Sequence, residues 1–135
     1  MIFTDISVFF KSIIDSDIAP VVVCDTSHKI IYMNPTAISR YEKRGGAALI
    51  GKSLSDCHNA DSNNKIKAVL EWFGKSAENN RMFTFHNAKE NKDVYMTALR
   101  DENSKLIGYY EKHEYRTSET SVPYETINNM TFVTD

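Results

Sequence analysis

Cys57 and His58 stand side by side, and a thiol next to an imidazole is the pairing from which a nucleophile and its base are made. In an extended link, however, neighbouring side chains point to opposite sides, so the two are not expected to share a hydrogen bond. No third group is placed to orient the imidazole. An imidazole also serves as an axial ligand of haem iron, and His58 is the candidate for that role. The plainer role for it is a hydrogen bond within its own loop. His28, His58, His86 and His113 lack the paired spacing of a zinc site, and neither Cys24 nor Cys57 has a second cysteine at ligand distance along the chain. No metal and no catalytic residues are expected, and the chain reads as a binding device and not as an enzyme.

Composition narrows the class further. The chain has 135 residues, enough for one domain with its own core. Its 41% apolar and 25% charged residues are ordinary for a soluble protein. The net charge of −2, without a dense Lys/Arg run, gives no footing for nucleic acid. The longest apolar run, residues 19–24, is far too short to span a bilayer. The first residues lack the basic start and apolar core of a signal peptide, and two unpaired cysteines suit a reducing compartment. A cytoplasmic protein without a membrane partner is expected.

The elements that must position any site follow from periodicity. Ile2, Ile6, Phe9, Phe10 and Ile13 give residues 1–17 the pattern of an amphipathic helix with an apolar face in search of a partner, a second copy being expected. Residues 18–24 are apolar and β-branched, as in a strand buried on both faces. Residues 25–28 carry turn chemistry. Residues 29–34 alternate, with Ile30, Tyr32 and Asn34 on one face, and Asn34-Pro35 ends the strand and opens a short helix. After a polar loop, Asp61 is expected to cap a long helix bearing Ile66, Val69, Leu70 and Phe73. Three strands follow, over 81–86, 93–100 and 105–115. Arg81, Lys92 and Arg100 read as solvated edge charges. Gly108, inside the last strand, marks a close approach by a neighbour. Residues 117–135 lose all periodicity and read as a mobile or docking tail, with a further strand over 128–134 as an option.

This order, with these residues, resembles the PAS domain family. The carriers are Ile18-Ala19-Pro20-Val21-Val22-Val23-Cys24-Asp25, His28-Lys29-Ile30-Ile31-Tyr32-Met33-Asn34-Pro35-Thr36-Ala37, Leu49-Ile50-Gly51-Lys52-Ser53-Leu54 and Asp101-Glu102-Asn103-Ser104-Lys105-Leu106-Ile107-Gly108. His28 stands near a position where the family often has Gly. The resemblance implies an α+β fold: a five-stranded antiparallel sheet, helices on one face and a cavity between them, over residues 18–116. It implies a small stand-alone sensory or regulatory module that binds a small molecule or partner protein, rearranges as a homodimer, and passes its output to a separate signalling protein. The residues expected to line the cavity are Tyr32, Asn34, His58, Thr84, Met96 and Tyr110; the plainer account makes Tyr32 and Met96 core and Asn34 a helix cap. The cofactor is left unnamed. Haem on His58 is one alternative. Flavin photochemistry lacks its motif, since Cys57 lies between Asp56 and His58 and not between Asn and Arg. A ligand-free dimerisation adaptor, its cavity filled by Phe83, Phe85, Trp72 and Leu99, is the other. An enzyme would need a buried Asp or Glu facing inward from a strand, and none is expected.

Overall fold

A computed structural model of the protein describes residues 4–127. Ile2 and the optional strand over 128–134 lie outside the described residues. The chain forms β1 (Val22–Asp25), β2 (Ile30–Met33), β3 (Arg81–Asn87), β4 (Lys92–Arg100) and β5 (Leu106–Tyr115), together with α1 (Ile6–Asp15), α2 (Pro35–Arg40) and α3 (Ala60–Lys75). All strand pairs are antiparallel, in the order β2-β1-β5-β4-β3. Short 3-10 turns at Glu42–Arg44, Gly46–Leu49 and Leu54–Cys57 carry the chain from α2 to α3.

Two hairpins close with the same device. Asp25 Oδ1 accepts from the amides of Ser27 and Lys29, both at 3.0 Å, and His28 takes a left-handed φ of 69°. Asp101 Oδ1 accepts from the amides of Asn103 at 2.9 Å and Lys105 at 3.0 Å, and Ser104 takes φ 66°. An aspartate thus offers each turn a local substitute for backbone pairing. The free edge of β2 is covered by residues 51–54: Gly51 N donates to Ile30 O at 2.7 Å, Ile30 N to Lys52 O at 2.9 Å and Leu54 N to His28 O at 2.7 Å. At the opposite edge, a register shift at Thr84 breaks the β3 ladder, which blunts that edge.

The core lies between the inner sheet face and the helices. Phe73 of α3 is fully buried with Cys24, Ile30, Met33, Ala37, Leu49, Met96 and Tyr109. Truncating such a side chain costs about 3–5 kcal/mol. The helix begins two residues earlier than Asp61 would set it: Asn59 is its cap, accepting from Ser62 N at 2.8 Å. Its far end is closed by Arg100, whose Nη2 donates to the carbonyls of Phe73 at 2.7 Å, Ser76 at 3.1 Å and Asn79 at 3.2 Å. Arg100 therefore caps the Phe73 carbonyl in the last turn of the helix and ties down the turn that follows it through Ser76 and Asn79. It is not a solvated edge charge, and neither is Lys92, which is 1% exposed with its Nζ 3.2 Å from Glu90 Oε2 and 5.4 Å from the Tyr115 ring centre. Arg81 stacks 3.8 Å above the Tyr95 ring.

The first strand is shorter than its apolar run. Residues 18–21 are not strand, and Ile18 is 79% exposed; Pro20 supplies no ladder donor. α1 starts at the Asp5 cap, and none of its residues is buried.

Candidate functional site

Three strands and one loop segment line a cavity of about 90 Å³ that opens to solvent on one side. Val22 and Cys24 of β1, Ile30 and Met33 of β2 and Tyr109 and Glu111 of β5 form its sheet wall. Tyr41, Arg44, Leu49, Leu54, Cys57 and His58 close it from the segment between α2 and α3. The floor is apolar, and the solvent-exposed residues Arg44, His58 and Glu111 line its margin. Burial dominates the chemistry of the floor. It pushes the Cys24 thiol up to about 11, although a hydrogen bond with Tyr109 pulls the other way. It also raises the Tyr109 phenol well above its usual range, with the neighbouring Cys24 adding to the effect. The phenol oxygen lies 2.8 Å from His28 Nδ1, so the left-handed residue of the β1–β2 turn is tied to the cavity wall.

Of the six residues expected to line the cavity, the structure brings His58 to it. Tyr32 faces the other way, and its hydroxyl donates to Asp15 of α1. Asn34 is fully buried, but both ends of its amide are used within the protein. Oδ1 accepts from the amides of Val21 and Ala37, each at 2.9 Å, and Nδ2 donates to the carbonyls of Ile14 and Ala19, each at 3.0 Å. Thr84 sits at the β3 irregularity and donates to Val94 O at 2.9 Å. Met96 is core, and Tyr110 pairs with Val23 and Thr97 on the outer face. The physical reason in β2 is a register shift between Val23 and Cys24, after which Cys24 pairs with Ile30. It breaks the alternation, so Ile30 and Met33 both point inward. In β5 the inward parity is that of Tyr109 and Glu111, not Tyr110.

Two further expectations change. Cys57, at the end of a 3-10 turn, and the extended His58 both line the cavity, with no hydrogen bond between their side chains. Cys24, distant in sequence, lines it too. An acidic residue, Glu111, faces inward from a strand after all, its side chain 48% exposed and its Oε2 3.7 Å from His113 Nε2. The rings proposed to fill the cavity of an adaptor do not do so: Phe83 and Phe85 are 56% and 50% exposed on the edge strand, and neither Trp72 nor Leu99 lines the cavity.

Haem does not fit this site. A cavity of about 90 Å³ is well below the roughly 300–1,000 Å³ of ordinary ligand pockets, and a tetrapyrrole belongs at such a scale. His58 lies exposed at the mouth. Among the described residues no group of three or more His, Cys, Asp or Glu could hold a metal ion, and no helix is long and apolar enough to cross a membrane.

An antiparallel sheet in this strand order, with short helical turns closing a pocket over one face, defines an α+β domain with one sheltered site. The chain belongs to the PAS domain family, whose model matches residues 18–128. Solved structures share the fold. The C-terminal domain of a Streptococcus mutans protein is 18% identical, with a TM-score of 0.62, covering 85% of this chain and 90% of that one. A PAS domain from Colwellia psychrerythraea is 15% identical, with a TM-score of 0.59, covering 82% and 97%. The PAS domain of BvgS from Bordetella pertussis is 18% identical, with a TM-score of 0.53, covering 85% and 89%. No curated protein matches the chain.

Proposed function

We propose that this PAS domain is a sensory module whose cavity takes a small molecule and whose α1 joins two copies of the chain and reports occupancy. The observation that carries the reading is the bonding of Asn34. Its neighbour Met33 lines the cavity, while its own amide holds the last turn of α1 through Ile14 O. Tyr32, one residue further back, holds Asp15, and Thr36 Oγ1 donates to Asp17 O at 3.0 Å. Movement of β2 against an occupant is thereby delivered to the root of α1.

Among the described residues the apolar face of α1 is left largely uncovered. Ile6, Phe9 and Phe10 are 56%, 56% and 57% exposed, and Ile13 is 67% exposed. An apolar face of that kind suits a second copy of itself, and Ile2 continues the same stripe in sequence. A ligand that binds one arrangement of β2 and α1 better than another shifts the population by that difference alone; tenfold selectivity is about 1.4 kcal/mol. The work is reversible binding, so no catalytic step is assigned. Two free thiols suit a reducing, cytoplasmic setting, and a separate signalling protein is the natural recipient of a change at α1.

A thermal-shift screen of small metabolites tests this, run on the wild-type protein and on Leu54→Phe, which narrows the cavity. At least one compound is expected to raise the wild-type melting temperature and to leave the variant unmoved. Equal shifts in both proteins, or none in either, would overturn the cavity as the binding site.

A further inference from the structure

The charged groups at the cavity margin are of both signs, and they are not spent on each other. The Arg44 guanidinium makes no ion pair or hydrogen bond among the described residues. His58 uses only its backbone carbonyl, which accepts from Asn63 Nδ2 at 3.4 Å. The Glu111 carboxylate lies 3.7 Å from the His113 imidazole Nε2, which is beyond hydrogen-bond reach. Both charges lie near the same ring: the Tyr41 phenol is raised first by burial and then by Glu111, while Arg40 and Arg44 pull it down. An apolar floor of Val22, Ile30, Met33, Leu49 and Leu54 lies beneath them.

We infer that the cavity binds a small zwitterion, an α-amino acid with a short aliphatic side chain, its carboxylate on Arg44 and His58 and its ammonium on Glu111. This rests on the reading of the cavity as a ligand site and names the ligand class. A guanidinium offers a planar fork that matches a carboxylate. An ammonium needs an acceptor, which Glu111 supplies. An α-amino acid carries both charges on one carbon, as a site with both signs around one opening requires. The aliphatic tail enters the floor. A cavity of about 90 Å³, small beside ordinary ligand pockets, suits a short aliphatic side chain such as that of valine.

The test is an amide NMR titration of the full chain with three probes: L-valine, isovalerate, which lacks the ammonium, and isobutylamine, which lacks the carboxylate. Xenon serves as a fourth, uncharged probe of the floor. L-valine is expected to move the amides of Val22, Ile30 and Tyr109 and to bind at least tenfold more tightly than either half-ligand. Arg44→Gln should abolish its advantage over isobutylamine, and Glu111→Gln its advantage over isovalerate. Both residues reach solvent, so neither substitution opens the core. Isovalerate binding as tightly as valine would overturn the zwitterion while leaving a ligand cavity in place. So would the absence of shifts with all three charged probes while xenon enters. If xenon also fails to enter, the cavity reading itself falls.

Discussion

Gly108 lies so close to Cys24 that a β-carbon built on it would sit 2.2 Å from the Cys24 carbonyl oxygen. Gly108 pairs with Asp25 on one side and Leu99 on the other, so the contact sits where β1 joins β5 beside the cavity wall. The obstacle is backbone, which cannot swing aside as a long side chain does. Gly108→Ala is expected to destabilise the protein by about 2 kcal/mol or more, as overpacking of a tight site does, measured as a lower urea midpoint. An unchanged midpoint would show that β1 and β5 can separate freely there.

Asn34→Ala leaves two amides and two carbonyls without their side-chain partner in a site closed to water. The expected loss is about 3 kcal/mol or more, since orphaned buried groups cost more than the bonds contributed. Asn34→Asp should fare no better, because its second oxygen would face the carbonyls of Ile14 and Ala19. Denaturation followed by circular dichroism reads both. A loss below about 0.5 kcal/mol for Asn34→Ala would mean that water replaces the amide.

Glu90 predicts an acid limb in stability. The bidentate Arg40, with Lys92 beside it, holds its carboxyl down from 4.5 to about 2. Between those values the unfolded chain binds a proton that the folded chain refuses. Stability contributed by Glu90 is therefore complete above about pH 4.5 and is lost as pH falls toward 2. Melting temperatures from pH 6 to pH 2 should fall less steeply for Glu90→Gln than for the wild type. Parallel curves would show the pair to be inert.

The two thiols should separate by reactivity. Cys24 is 1% exposed, with its thiol at about 11, which leaves about one part in a thousand as thiolate at pH 8. Cys57 is half-buried at the other wall. Iodoacetamide at pH 8 should label Cys57 in the native protein and both cysteines in urea, as read by intact mass. Rapid labelling of Cys24 in the native state would mean that the cavity wall opens.

Phe9→Asp with Ile13→Asp should halve the mass measured by light scattering, since it places charge in the apolar face of α1. The fold should survive, because neither side chain is buried. A monomeric wild type, or a variant that keeps the wild-type mass, would remove α1 as the joining surface.

Much of the fold was legible because its signals are local. Asp25 and Asp101 announce their turns, Asn34-Pro35 stops β2, and Gly108 marks a close approach. The lining residues were hidden by parity. The β2 register shift brings Met33 inward beside Ile30, and β5 faces inward through Tyr109, where an alternation count alone prefers Tyr110. The Arg100 cap and the shared cavity of Cys24 and Cys57 join residues far apart in sequence, which no local pattern encodes.

Occupancy of the cavity should be felt at α1 through β2. Amide NMR under increasing xenon pressure tests it without assuming a natural ligand, since xenon enters dry apolar cavities. Ile30, Met33 and Leu49 are expected to shift along one binding curve, and Ile14 and Asp15 to follow the same curve. Shifts confined to the cavity, with Ile14 and Asp15 unmoved at saturation, would contradict it.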